Sequence, residues 1–323
     1  MAKTGIGVLQ WVPENCLGQC RLSDGAIDLG LPDLSPAEAA EKGARSLVIG
    51  VANVGGTIPY SWRQTLGAAL DAGLDVVAGM HERLSSDPEL AALAGKRSRK
   101  LVDLRDPPSE LPIGTGQPRT GRRVLTVGTD CAVGKKYTAL AIWRELRERG
   151  QQADFCATGQ TGVLISGKGF AIDSVVSDFI SGAAEYLSPA NDLDHWDIIE
   201  GQGSIFHPAY AGVSLGLLHG SQPEAIVLCH EVGRERLGFF EDFPTPDVGL
   251  AIERYLEAAR LTSPGVRCAA ISLNTSRLGE VEADRLCAEM SEAFALPATD
   301  PIRMGADRIV DALLSVPARM SSP

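Results

Sequence analysis

No stretch of this chain approaches the roughly 20 consecutive apolar residues that a bilayer-spanning helix needs, so a helical membrane protein is not expected. The opening residues, MAKTGIGVLQWVPENC, also lack the long apolar core of a secretory signal. A cytoplasmic protein follows as the expectation. Basic excess is missing too: 30 Lys and Arg face 41 Asp and Glu, for a formal charge of −11. With nothing basic to offset phosphate repulsion, nucleic acid is not an expected partner, and without a spanning stretch neither is a membrane. Small anions remain open, because a local positive loop attracts them whatever the net charge. Paired cysteines are scarce as well. The seven stand at 16, 20, 131, 156, 229, 268 and 287, mostly single and within apolar runs. An odd, scattered set reads as reduced thiols rather than a disulfide framework. Cys16 and Cys20 are close, but no second pair completes a zinc set, so no metal is expected there.

What is present fits a folded two-domain protein. At 323 residues, with 44% apolar and 22% charged, the chain is long enough for two cores. In the first third, GIGVLQW (5–11), SLVIGVAN (46–53), DVVAGM (75–80) and KLVDL (100–104) read as buried strands. Between them PAEAAEKGA (36–44), SWRQTLGAALDAG (61–73) and DPELAALAG (87–95) have helical spacing, with Ser or Asp at their starts and Gly near their ends. Such alternation predicts an α/β fold with a parallel sheet. The proline- and glycine-rich DPPSELPIGTGQPRTGRR (106–123) interrupts it as a linker. The expected division is a domain over 1–110, a linker over 111–122 and a second α/β domain over 123–323. Strands are predicted there at RVLTV (123–127), ADFCA (153–157), DIIE (197–200), EAIVLCH (224–230) and VRCAAISLN (266–274). Helices are predicted at TALAIWRELRERG (138–150) and DVGLAIERYLEAARL (247–261).

One strand leads into VGTDCAVGKKYTAL (127–140), an altered phosphate loop. The usual signature is G-x-x-x-x-G-K followed by Ser or Thr. Here five residues rather than four separate Gly128 from Gly134, and Lys136 stands where the hydroxyl belongs. A strand, a glycine loop and a helix together aim backbone N–H groups and a helix dipole at an anion. The loop residues Gly128, Thr129, Asp130, Cys131, Ala132, Val133, Gly134, Lys135 and Lys136 are therefore the expected cofactor site. In phosphoryl transfer the hydroxyl after the lysine helps to hold Mg²⁺. Lys136 cannot ligate a cation, and Thr129 or Thr138 would have to substitute from other positions. Bound phosphate is thus favoured over phosphate chemistry, with no metal.

Other polar clusters follow strand ends, where ligands of open α/β sheets collect. DIIEGQGSIFHP (197–208) offers Glu200 as a base or a metal carboxylate, Gln202 and Ser204 in a glycine turn, and His207 as an acid or base. EAIVLCHEVGRERLG (224–238) adds His230, and Arg234 and Arg236 as forks for carboxylates. ATGQTGVLISGKG (157–169) reads as a loop of backbone donors or a flexible connection, and ISLNTS (271–276) places Asn274 at a strand end. IGVANVGGTIPYSW (49–62) does not fit G-x-G-x-x-G, so tight-turn glycines explain it better than a dinucleotide site.

Taken together, LTVGTDCAVGKKYTAL, ATGQTGVLISGKG, EGQGSIFHPAYAGVSLGLLHGSQP, VLCHE and ATDPIRMGAD resemble a bacterial and archaeal family. That family has a Rossmann-like front domain and a P-loop NTPase-like rear domain, and the front stretch VIGVANVGGTIPYSWRQTLGAALDAGLDVVAGMHERLSSDPEL is similar to its N-terminal part. Long of unknown function, it includes D-glutamate N-acetyltransferases of D-amino-acid catabolism. The resemblance covers nearly the whole chain. It implies transfer of the acetyl group of acetyl-CoA to D-glutamate or a close D-amino acid. Glu200 is then the first choice of base, with His207 and His230 behind it, the 201–204 turn as oxyanion donor and Arg234 or Arg236 on the substrate carboxylates. GTDCAVGKK also resembles the dethiobiotin synthetase loop GTD-x-x-VGKT, as the EGQG turn resembles a segment of those enzymes. That likeness implies the alternative, an ATP- and Mg-dependent ligase or kinase, and departs from it at Lys136. A third reading is a non-catalytic nucleotide-responsive protein. A homo-oligomer is expected by common default.

Overall fold

The computed structural model describes residues 2–23, 25–51 and 54–316. They form two compact units, the first comprising Met1–Pro107 with Gln160–Ala171, the second Pro108–Gly159 with Ile172–Pro323.

In the first unit the parallel strands β1 (Ser46–Val48), β2 (Asp75–Ala78) and β3 (Leu101–Asp103) lie in that order. Four helices precede or separate them: α1 (Lys3–Trp11), α2 (Pro36–Glu41), α3 (Arg63–Asp71) and α4 (Pro88–Arg97). Local chemistry sets their starts. Ser35 and Glu38 form a capping box on α2, and Asp87 accepts from Glu89 and Leu90 N–H groups at α4. Leu66, Leu70, Leu74, Val76, Leu84 and Leu90 make the core. GIGVLQW, expected as a strand, is helix α1. Its buried positions, Thr4 and Gly7, are three apart, a helical rather than a two-residue spacing. A short apolar run does not distinguish the two by pattern alone. SLVIGVAN is a strand only over 46–48; Ala52 and Asn53, which it shares with the glycine stretch 49–62, lie outside the described residues.

The second unit takes in the predicted linker, and its first regular elements are β4 (Arg122–Gly128), α5 (Lys135–Glu148) and β5 (Ala153–Cys156). The segment read as a loop of backbone donors holds α6 (Gln160–Ser166), and residues 160–171 belong to the first unit, where α6 packs on α1. Then follow α7 (Ile180–Leu187), β6 (Trp196–Ile199), α8 (Ala211–Ser221) and β7 (Ala225–Glu231). A short antiparallel hairpin, β8 (Arg236–Leu237) and β9 (Phe240–Pro244), precedes α9 (Val248–Arg260), β10 (Arg267–Asn274), α10 (Glu280–Phe294), β11 (Ala298–Thr299) and α11 (Asp307–Leu314). The sheet runs β11-β10-β7-β4-β6-β5, all parallel. Buried on both faces, its strands read as near-continuous apolar runs. Arg122, buried in β4, is tolerated because its guanidinium pairs with Glu224 at 2.7 Å and lies over the Trp196 ring at 3.9 Å. All seven cysteines are free thiols; 156, 229, 268 and 287 are buried.

Candidate active site

From β4 the chain passes outward to β5, returns to β6, then crosses to β7 on the other side of β4. The strand order thus reverses at β4, and the carboxyl ends of strands at such a reversal are the place where open α/β sheets take ligands. The altered loop sits there, between the end of β4 and the start of α5. Gly134 caps α5 with φ of 112°, a conformation that excludes a side chain without strain. Ala132 also lies in the left-handed region at 56°, unusual for a non-glycine residue.

Lys135 is buried, and its Nζ donates to the Asp130 carbonyl at 2.7 Å, which ties the loop to its own helix. Burial lowers its pKa. Asp130 is fully buried: its Oδ2 accepts from Arg234 Nη1 at 2.6 Å and from Gly238 N–H at 2.7 Å, while Oδ1 accepts from Cys131 N–H at 2.6 Å. Thr129 Oγ1 lies 3.0 Å from His230 Nδ1. Thr138 faces the core, donating to the Gly134 carbonyl and pairing with Ser272 Oγ at 2.7 Å. Neither threonine is placed to replace the missing hydroxyl. Lys136 stacks its ammonium 4.5 Å from the Tyr137 ring centroid.

Glu200 follows the end of β6 beside this loop and is only 3% exposed. Its Oε2 accepts from the Thr158 and Gly159 amides at 3.0 and 3.1 Å. Among the described residues no group donates to Oε1. Burial raises the carboxyl to about 7, against the pull of the two amides and of Lys136 and Lys135. It is thus poised near neutrality, as a general base requires. Gly201 brings the turn against β4: its N–H donates to Thr126 Oγ1 at 2.9 Å, and a Cβ there would stand 1.7 Å from the Thr126 carbonyl oxygen. Tyr255, buried on α9, joins turn and loop. Its hydroxyl donates to the Gly128 carbonyl at 2.9 Å and accepts from Ile205 N–H at 3.2 Å.

Among the described residues two groups bring three possible metal-ligand atoms within 4.8 Å: Asp130, Cys131 and His207, and Asp154, His195 and Asp197. In the first, Asp130 is already neutralised by Arg234, and both imidazole nitrogens of His207 are engaged. In the second, burial raises Asp197 to about 6, against the pull of His195, Arg123 and Arg119.

The same two-part organisation marks known proteins. Residues 18–107 match the family described as "Domain of unknown function (DUF1611_N) Rossmann-like domain", and residues 112–310 match "Domain of unknown function (DUF1611_C) P-loop domain". The chain belongs to the DUF1611 family. A D-glutamate N-acetyltransferase from Tritonibacter scottomollicae is 46% identical over 315 residues, which cover 98% of this chain and 95% of that protein. A second, from a Pseudoalteromonas species, is 44% identical over 308 residues, covering 95% and 93%. The crystal structure of a DUF1611 family protein from Anabaena variabilis matches with a TM-score of 0.85 at 36% identity, over 98% of this chain and 96% of that one.

In this DUF1611 chain the residues named from sequence are engaged by the fold to different degrees. Arg234, expected as a fork for substrate carboxylates, is bonded to Asp130, the Cys131 carbonyl and Glu231. His207 is fully buried; Nδ1 accepts from Ala209 N–H at 3.2 Å, Nε2 faces the Gly238 carbonyl at 3.3 Å, and the ring stacks on Tyr210. Those contacts engage both ring nitrogens in holding the turn. His230 lies next to the loop through Thr129, its pKa lowered by burial. Arg236 is exposed on β8. Ser204 is buried under the turn, where its Oγ accepts from Phe206 N–H, and half-buried Gln202 accepts Ser214 Oγ at its carbonyl. Tyr255, Thr126 and Thr158 are not singled out by the sequence, whereas Glu231 stands there beside His230 among the polar residues that end a strand.

Proposed function

We propose that this DUF1611 chain is an N-acetyltransferase that moves the acetyl group of acetyl-CoA to the amino group of D-glutamate or a related D-amino acid. The observation that carries the mechanism is Glu200, a buried carboxyl held near pKa 7 beside an anion loop, with one oxygen anchored and the other accepting from none of the described residues. The loop's backbone and Lys136 hold phosphate groups of the donor. Glu200 takes the proton of the substrate ammonium, and the freed amine attacks the thioester carbonyl. A C–N bond forms, the C–S bond breaks, and CoA leaves as thiolate to collect a proton. The Gly201, Ile205 and Phe206 amides are already bonded, so the donors left in the turn for the tetrahedral oxyanion are Gln202, Gly203 and Ser204 N–H.

The test is direct. Acetyl-CoA mixed with a panel of D- and L-amino acids should release free thiol with D-glutamate or a close D-amino acid. A parallel mixture with ATP and Mg²⁺ should form no ADP at ordinary turnover. Magnesium-dependent ADP formation without thiol release would replace this reading with the ligase or kinase. Ligand-induced stabilisation without either product would point to a binding protein.

A further inference from the structure

A phosphate loop that serves nucleotide chemistry uses a divalent ion, held partly by the hydroxyl after its lysine. The residues here do not fit that ion. Lys136 occupies the hydroxyl position, Thr138 is bonded into the core and Thr129 is paired with His230. Glu200 already gives Oε2 to two backbone amides. Asp130, in the loop itself, and Glu231, at the end of β7, share one guanidinium.

That guanidinium is Arg234. Its Nη1 donates to Asp130 Oδ2 at 2.6 Å and to the Cys131 carbonyl at 3.0 Å, and its Nη2 donates to Glu231. Arg277 closes the network on the other Glu231 oxygen at 2.7 Å. Burial works against the Arg234 charge, but the bonds to Asp130 and Glu231 outweigh it and raise the pKa. Two carboxylates and two guanidiniums therefore balance without a metal. The pinned atoms also lie in a strained stretch. Cys131 is held at both N–H and carbonyl, and Ala132 follows at φ 56°. Such a backbone persists only where its surroundings over-determine it.

We infer that Arg234 is a positioning residue that holds the phosphate loop in its anion-binding shape, and that anion binding at 128–136 needs no divalent ion. The inference rests on the reading of this loop as the donor site and not on the identity of the acetyl acceptor. Lys136 supplies the charge that meets the ligand, and Arg234 supplies the rigidity. The planar fork matters, since a lysine cannot reach Asp130, the Cys131 carbonyl and Glu231 together.

The experiment is calorimetric titration of CoA into the full-length protein, once with chelator and once with millimolar Mg²⁺. Wild type should bind with the same affinity in both, within about twofold. Arg234→Ala should weaken binding by about tenfold or more, as expected when a charge-assisted network is lost, with part of the loss recovered by millimolar guanidinium. Arg234→Lys should fall between. In turnover, the KM for acetyl-CoA should rise more than kcat falls. A tenfold Mg²⁺ requirement in wild type, or Arg234→Ala binding like wild type, overturns the inference. If the alanine variant does not fold, the chelator arm and Arg234→Lys still decide it. Failure of the transferase reading would look different: CoA would bind without thiol release from any D-amino acid.

Discussion

Glu200→Gln is the sharpest perturbation of the proposed chemistry. Glutamine keeps the side-chain volume, and its carbonyl oxygen still accepts from the Thr158 and Gly159 amides, so the turn should hold its shape. What disappears is the ability to take a proton. A positioned base contributes on the order of 10²–10⁴-fold, or about 3–5 kcal/mol of barrier. The wild-type rate should climb with pH through about 7, as the buried carboxyl ionises, and the variant should lack that limb. Stability offers an independent readout. Burial raises the folded-state pKa from 4.5 to about 7, so between those values the native state holds a proton that the unfolded chain has released. Wild-type stability should therefore fall as pH rises across this window, by about 3 kcal/mol at 1.36 kcal/mol per unit. The variant loses that contribution, so its stability relative to wild type should grow with pH. Thiol-release kinetics and denaturant titrations at pH 5 and 8 measure both effects. Turnover within about threefold of wild type at every pH, with the limb intact, would remove Glu200 as the base.

Three further outcomes are expected. Lys136→Thr should raise the KM for acetyl-CoA; because Lys136 pulls the Glu200 pKa down, it should also move the rate limb to higher pH, seen in a pH–rate profile. Tyr255→Phe leaves the Gly128 carbonyl and Ile205 N–H without their shared partner; it should cost about 1–3 kcal/mol in urea unfolding and lower kcat more than a distant surface change. Gly201→Ala forces a Cβ to 1.7 Å from the Thr126 carbonyl; the turn must move away from β4, with loss of activity and about 1–3 kcal/mol or more of stability, read by thermal melts.

Much of the rear unit was legible because its signals are local. An apolar run ending in glycines, lysines and an amphipathic helix is readable without neighbours, and β4 and α5 fall where that pattern puts them. Glu200 was legible for the same reason, as an acid at a strand end before a glycine turn. The front unit shows the limit. GIGVLQW has a strand-like composition yet forms α1, since a short run of this kind is decided by what it packs against. The segment after β5 misled in another way: its glycines and threonines suggested a loop, whereas α6 lies within it and joins the first unit.

The sequence by itself determined the α/β alternation, the phosphate loop and its missing hydroxyl, and the acid beside it, because each is fixed by residues close together in the chain. Only the tertiary structure decided which of these side chains are bonded within the fold and which are not. Arg234 and Asp130 are 104 residues apart, and Tyr255 and Gly128 are 127 apart. Whether a strand-end arginine faces solvent or a buried carboxylate depends on partners supplied by other strands and helices. The Glu200 proton affinity likewise comes from burial, which is a property of the packed sheet and not of the segment that carries the residue.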